Sequence, residues 1–210
     1  MFVPNIHGLF DKQIYLDFAE RMRSVGIFFR EFVCSPASVG SICSSSRSLA
    51  KALIHMVLPG KGIVIDLGAG SGIISAELIR AGVSPERIMA VEISEGFCKE
   101  FSTQCPDVPL IIGNACSLES IIASHHKNAG VCAIISSLPL RVLPTAIVEE
   151  IMREVHTVLS QRGGVFIQYT YAWWLNYPLR QYGFIPKAAQ IVSRNIPPAK
   201  IESYTILNQG

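Results

Sequence analysis

The chain has 210 residues, half of them hydrophobic and only 16% charged, with a formal net charge of +2. That length suits one domain with a sizeable core, and so small a charge excludes a globally basic nucleic-acid binder. No run of about 18 uncharged apolar residues occurs, which excludes a spanning helix, and without a basic-then-apolar leader the expected location is cytoplasmic.

The first predicted element covers residues 10–32. Ile14, Phe18, Met22, Val25, Phe29 and Phe32 recur at steps of three and four, while Arg21, Arg23 and Arg30 lie on other faces. This is an amphipathic helix. Two readings stand open: it covers the core, or its apolar face enters a bilayer while its arginines meet anionic headgroups.

From residue 62 onward, short β-branched runs alternate with helical patterns. The runs are "GIVIDLG", "RIMAVEI", "VPLIIGN", "VCAIISS" and "GGVFIQYTY", with helices expected over 72–81, 94–104, 115–124 and 144–160. Continuous rather than alternating hydrophobicity suits strands covered on both faces, and strand-then-helix units imply a doubly wound parallel sheet. The tail "AAQIVSRNIPPAKIESYTIL" reads as two further strands around the "NIPPA" turn, an antiparallel finish. Within this pattern, His125 and His126 fall in the polar stretch "SHHKNAG", read as a solvated loop. Six cysteines (Cys34, Cys43, Cys98, Cys105, Cys116 and Cys132) form no Cys-x-x-Cys pair, so buried thiols are expected and no metal site.

Two strands end on chemistry. "VIDLGAGSG" places Asp66, Gly68, Ala69, Gly70 and Gly72 where the first strand gives way to a helix, and glycines there let backbone amides approach a ligand. Glu92 and Ile93 end the second strand twenty residues beyond Gly72, where a carboxylate accepts hydrogen bonds from a ribose. The pair suits a dinucleotide or S-adenosylmethionine. An acid at Asp66 repels a pyrophosphate but binds a cationic amino-acid moiety through ordered water, which favours the second.

The fourth strand ends on "SSLPL", residues 136–140. In a sheet of this kind the ligand crevice lies at the carboxyl ends of the central strands. Pro139 removes a donor and stiffens the turn, leaving carbonyls with a fixed direction. Ser136, Ser137, Leu138 and Pro139 are therefore candidates to orient the N–H bonds of an amine. Tyr169 and Tyr171, at the end of the fifth strand, either line the same site or belong to the core. Trp173, Trp174, Tyr177 and Arg180 follow, as interface anchors, a cation–π wall or packing.

The glycine turn resembles the first motif of class I S-adenosylmethionine-dependent methyltransferases, and "IIGNA" resembles a later one. The resemblance puts Asn114 and Ala115 beside the adenine, with Asn114 where the family usually has an acid. "SSLPL" is similar to the N-L-P-Y loop of methyltransferases acting on adenine, but Leu140 replaces the aromatic and offers an apolar wall without a stacking face.

Taken with "VGSICSSSRSLAKAL" (39–53), "GGVFIQYTY" and "RNIPPAKIESY", the chain resembles bacterial phospholipid N-methyltransferases of the soluble, membrane-associating type. The resemblance implies an α/β fold with a mostly parallel seven-stranded sheet. It also implies a division into residues 1–38, the amphipathic segment, and 39–210, the methyltransferase domain. Its cofactor is S-adenosylmethionine, to which it adds Ser41, Ser45 and Ser136 as contacts. The implied reaction is methylation of phosphatidylethanolamine toward phosphatidylcholine at the inner face of the cytoplasmic membrane. Nucleic acid is not an expected partner. An rRNA adenine dimethyltransferase and a non-catalytic membrane-bound S-adenosylmethionine sensor are the alternatives.

Overall fold

The structure, a computed structural model, describes residue 49 and residues 52–57, 60–141, 143–170, 179–193 and 198–207. All of them fall in one unit, Cys43–Gly210. The amphipathic segment at 10–32, Ser41, Ser45, Tyr171, Trp173, Trp174 and Tyr177 lie outside the described residues.

Seven strands are described: β1 (Ile63–Leu67), β2 (Ile88–Glu92), β3 (Leu110–Ile112), β4 (Val131–Ser136), β5 (Val165–Thr170), β6 (Phe184–Val192) and β7 (Ala199–Ile206). Between them run α1 (Ile73–Arg80), α2 (Glu95–Gln104), α3 (Leu118–His125) and α4 (Thr145–Arg162). The strand order is β3-β2-β1-β4-β5-β7-β6. Pairs among β1 to β5 are parallel, and β7 runs antiparallel to both β5 and β6. This is the doubly wound, seven-stranded class I methyltransferase architecture that the sequence implies.

Order and chain direction together locate the crevice. From β1 the chain winds outward through β2 to β3, and then returns to β4 on the other side of β1. The loops that leave β1 and β4 therefore diverge to opposite faces and open a gap at the carboxyl ends of these two strands.

Burial explains why the strands read as unbroken apolar runs. Every residue of β1, β2 and β4 is buried. On one face, Val64, Ala90, Ile135 and Ile167 share a cluster with Ile74 and Leu78 of α1, Phe101 of α2 and Leu53 of the helical residues 52–57. Phe101 is fully buried, which stabilises the fold by roughly 1.5–3 kcal/mol. On the other face, α4 packs on β4, β5 and β7, and Phe166, Phe184 and Tyr204 form an aromatic cluster with ring centroids 5.5 to 6.4 Å apart.

Three boundaries differ from the sequence reading. Residues 115–117 form a 3-10 turn, capped by the Asn114 side chain, before α3 begins at Leu118. His125 belongs to the last turn of α3 rather than to a loop, with Nδ1 2.9 Å from the Ile121 carbonyl. Strand β6 begins at Phe184, ahead of "AAQ", because an edge strand exposed from Ile185 to Ile191 gives no hydrophobic signal. Its Pro186, at a register shift, and its Lys187 protect that edge from further pairing.

Among the described cysteines, Cys98, Cys105 and Cys132 are buried free thiols and Cys116 is half-buried. No helix among the described residues is long and apolar enough to cross a membrane.

Candidate active site

The turn after β1 is built on left-handed backbone. Gly68, Gly70 and Gly72 have φ of 77°, 56° and 90°, a region that costs other residues roughly 1–2 kcal/mol. The three differ in what surrounds them. A Cβ on Gly68 would sit 2.6 Å from Leu138 Cδ2, whereas one on Gly70 would meet nothing within 4 Å and project into open space. Gly70 therefore marks where a ligand can approach the backbone.

Glu92, 7% exposed, braces this turn. Its Oε2 accepts from the Gly70 amide at 2.8 Å, and its Oε1 accepts from the amides of Ile93 at 2.9 Å and Ser94 at 2.8 Å. A carboxylate offers about four acceptor sites. Roughly one is left for a ribose hydroxyl, and a second becomes free if the Gly70 amide turns away.

Asp66 is 1% exposed at the end of β1. Its Oδ2 accepts the Ser75 hydroxyl at 2.7 Å, while Oδ1 is buried with no partner among the described residues. Burial pushes the carboxyl from its ordinary 3.8 up to about 6, against the pull of hydrogen bonds from Ser75 and with a small push from Glu92. An unsatisfied buried acceptor is costly. Such an atom beside the glycine turn is a place for a ligand donor or a bridging water.

Asn114 caps the 3-10 turn with its Oδ1, which accepts from Cys116 N at 3.0 Å. One lone pair on that oxygen and both amide hydrogens remain for an adenine. Ala115 is buried and Ile93 half-buried at the same end of the sheet.

The turn after β4 is stitched to the glycine turn. Ser137 donates its hydroxyl to the Gly68 carbonyl at 2.6 Å, and its amide donates to the Leu67 carbonyl at 3.3 Å. Ser136 is fully buried, and its Oγ accepts from Leu138 N at 3.3 Å. The two hydroxyls that end the strand thus serve two different loops.

The Leu138 carbonyl is not open to a ligand, contrary to the sequence reading. It already accepts from Leu140 N at 2.8 Å and from Gln168 Nε2 at 3.1 Å, which uses both lone pairs. Leu140, expected as an apolar wall, is 4% exposed and faces the interior. Leu138 and Pro139, both half-buried, supply the apolar surface instead.

Tyr169 packs partly buried against the core cluster on the α1 face. Arg180 is exposed in the 3-10 turn before β6. Gln168, which holds the β4 turn, escapes the sequence reading. At the other end of the sheet, a cleft beside Lys127, Gly130 and Arg162 lies at the amino ends of β4 and β5, away from these groups. There Arg162 is already spent on Glu119 and on three backbone carbonyls.

Residues 64–163 match the family model described as a methyltransferase domain. No curated protein matches the chain. Among solved structures, the Burkholderia thailandensis 1,6-didemethyltoxoflavin-N1-methyltransferase, bound to 1,6-didemethyltoxoflavin and S-adenosylhomocysteine, is similar with a TM-score of 0.63. It is 15% identical, over 98% of this chain and 92% of that one. A glycopeptide N-methyltransferase is similar with a TM-score of 0.58 and 14% identity, over 78% of this chain and 91% of the other. The magnesium protoporphyrin IX methyltransferase of Synechocystis PCC 6803, with bound S-adenosylmethionine, gives 0.55 and 15%, over 77% and 80%. At such identities the structural likeness is one of fold. The match over residues 64–163 is to a methyltransferase domain, and the two structures of this fold named with a bound cofactor species hold S-adenosylhomocysteine and S-adenosylmethionine. The open space at Gly70, the acceptor site left at Glu92 and the unpartnered Asp66 oxygen all fit S-adenosylmethionine.

Proposed function

We propose that the chain methylates the amine of phosphatidylethanolamine, and of its mono- and dimethyl derivatives, at a membrane surface. The observation that carries this reading is the β4 turn. It lies against the glycine turn, it presents only hydroxyl and backbone acceptors, and its half-buried apolar side chains are Leu138 and Pro139. Its described residues 136–141 include no aromatic side chain. A flipped base needs a stacking face, whereas a lipid amine needs acceptors beside an apolar surface. The sequence resemblance supports the same substrate.

When bound, S-adenosylmethionine supplies an electrophilic methyl group on its sulfonium. The protein's contribution is to hold and to aim. Gly70, Glu92 and Asn114 hold the nucleoside end, and Asp66 receives the cationic amino-acid end through its free Oδ1. The Ser137 hydroxyl oxygen, whose hydrogen is spent on Gly68, keeps lone pairs that fix the N–H bonds of the acceptor. Residues 136–141 include no carboxylate or imidazole, so this turn acts by positioning rather than by taking a proton. Positioning is worth most in such displacements, and a misplacement of about 1 Å costs on the order of a hundredfold in rate. Membrane contact falls to the amphipathic segment at 10–32.

The test is a competition for label. Purified protein with labelled S-adenosylmethionine is offered phosphatidylethanolamine vesicles and rRNA together. Label in the lipid supports the reading; label in the RNA with unlabelled vesicles overturns it in favour of a base-directed enzyme.

A further inference from the structure

Gln168 stands in β5 in register with Ser136 of β4. Its Nε2 donates to the carbonyls of Leu138 and Tyr169, each at 3.1 Å. Two carbonyl partners fix which end of the amide is which, because the flipped amide would set three oxygens together. The amide oxygen that results is buried and has no partner among the described residues. An unpartnered buried oxygen costs roughly 1–3 kcal/mol, and a leucine would fill the same place in a strand without that cost. Stability alone does not account for glutamine here.

What the side chain does is close the β4 turn. The Leu138 carbonyl has two lone pairs, one bonded within the turn to Leu140 N and the other to Gln168. Ser137 ties the same turn to the β1 loop through Gly68, and Ser136 holds Leu138 N from inside the strand. With the Gln168 bond the turn is fixed from three sides. We infer that Gln168 is a positioning residue for methyl transfer: it locks the Ser137–Leu138–Pro139 turn in the direction that presents the acceptor amine to the cofactor. This rests on the proposed function for what the turn receives, but the tie itself does not.

Two variants of the full chain test it. In Gln168→Met the bulk remains and both donors are lost. In Gln168→Glu an ionised carboxylate opposes two carbonyl oxygens, while its protonated form regains one O–H donor. On phosphatidylethanolamine vesicles, both variants lose about a hundredfold in kcat near neutral pH, with an unchanged KM for S-adenosylmethionine. On acidification, activity relative to wild type recovers in Gln168→Glu and not in Gln168→Met, which a purely structural role would not produce. Hydrogen exchange of the segment containing residues 138–141 is faster in Gln168→Met. Unchanged exchange, or faster exchange with kcat intact, overturns the assignment. Gln168→Asn, too short to reach both carbonyls, replaces Gln168→Met if that variant does not fold. Wild type that leaves the vesicles unlabelled defeats the lipid reading, and the exchange measurement still decides the tie.

Discussion

Asp66→Asn separates the demands of folding from those of ligand binding. In the folded chain, burial lifts the Asp66 carboxyl from 3.8 to about 6, a displacement equivalent to on the order of 3 kcal/mol. The sign follows from proton binding: between those two values the folded state holds the proton more tightly than the unfolded state does. This contribution is fully present below about pH 4 and is lost as pH climbs through about 6, so the ionised acid burdens the fold at neutrality. Asparagine keeps the shape and the bond to Ser75 but cannot ionise. Urea denaturation from about pH 4.5 to 7.5 is expected to show wild-type stability falling against the variant as pH rises. The variant gains up to on the order of 3 kcal/mol near pH 7. Titration calorimetry is expected to show the opposite for S-adenosylmethionine, with weaker binding in the variant and no step near pH 6. Parallel stability profiles would refute the argument that burial of this charge is the cost; equal cofactor affinity would remove Asp66 from the binding site.

Other expectations follow from the same geometry. Gly70→Ala places a methyl group in the open cradle and costs roughly 1–2 kcal/mol of stability at a φ of 56°; calorimetry should find cofactor affinity strongly reduced in the folded variant. Glu92→Ala unpairs the amides of Gly70, Ile93 and Ser94 and removes the ribose acceptor, so both affinity and thermal midpoint should fall. Pro139→Ala loosens the β4 turn without touching the nucleoside end, so kcat should fall more than cofactor affinity; a loss explained wholly by affinity would contradict this. Replacing Phe18 and Phe29 with Ser should abolish flotation with anionic vesicles, and unchanged flotation would place the membrane contact elsewhere.

The strands and the cofactor side of the site were legible because each apolar run ends on its chemistry. Asp66, Glu92 and Asn114 stand at the carboxyl ends of β1, β2 and β3 or just beyond, and the central strands β1, β2 and β4, buried throughout, write their runs without interruption. The acceptor side was legible only in part. That "SSLPL" ends β4 is local information, but the partner of Ser137 is Gly68, 69 residues away in sequence, and no pattern within the turn reveals it. Gln168 gives no signal at all, since one glutamine in a strand fits neither period and its meaning comes from the two carbonyls that the register sets beside it. Leu140 is a similar case: the motif marks the position, while the packing around the turn decides that its side chain points inward.

The central claim, methyl transfer to a lipid amine, is tested most directly by mass spectrometry of phosphatidylethanolamine vesicles after incubation with the protein and S-adenosylmethionine. The account predicts mono-, di- and trimethylated headgroups that accumulate with time in wild type and are nearly absent in Pro139→Ala. Unmodified lipid, from wild-type protein shown by calorimetry to bind the cofactor, would contradict it.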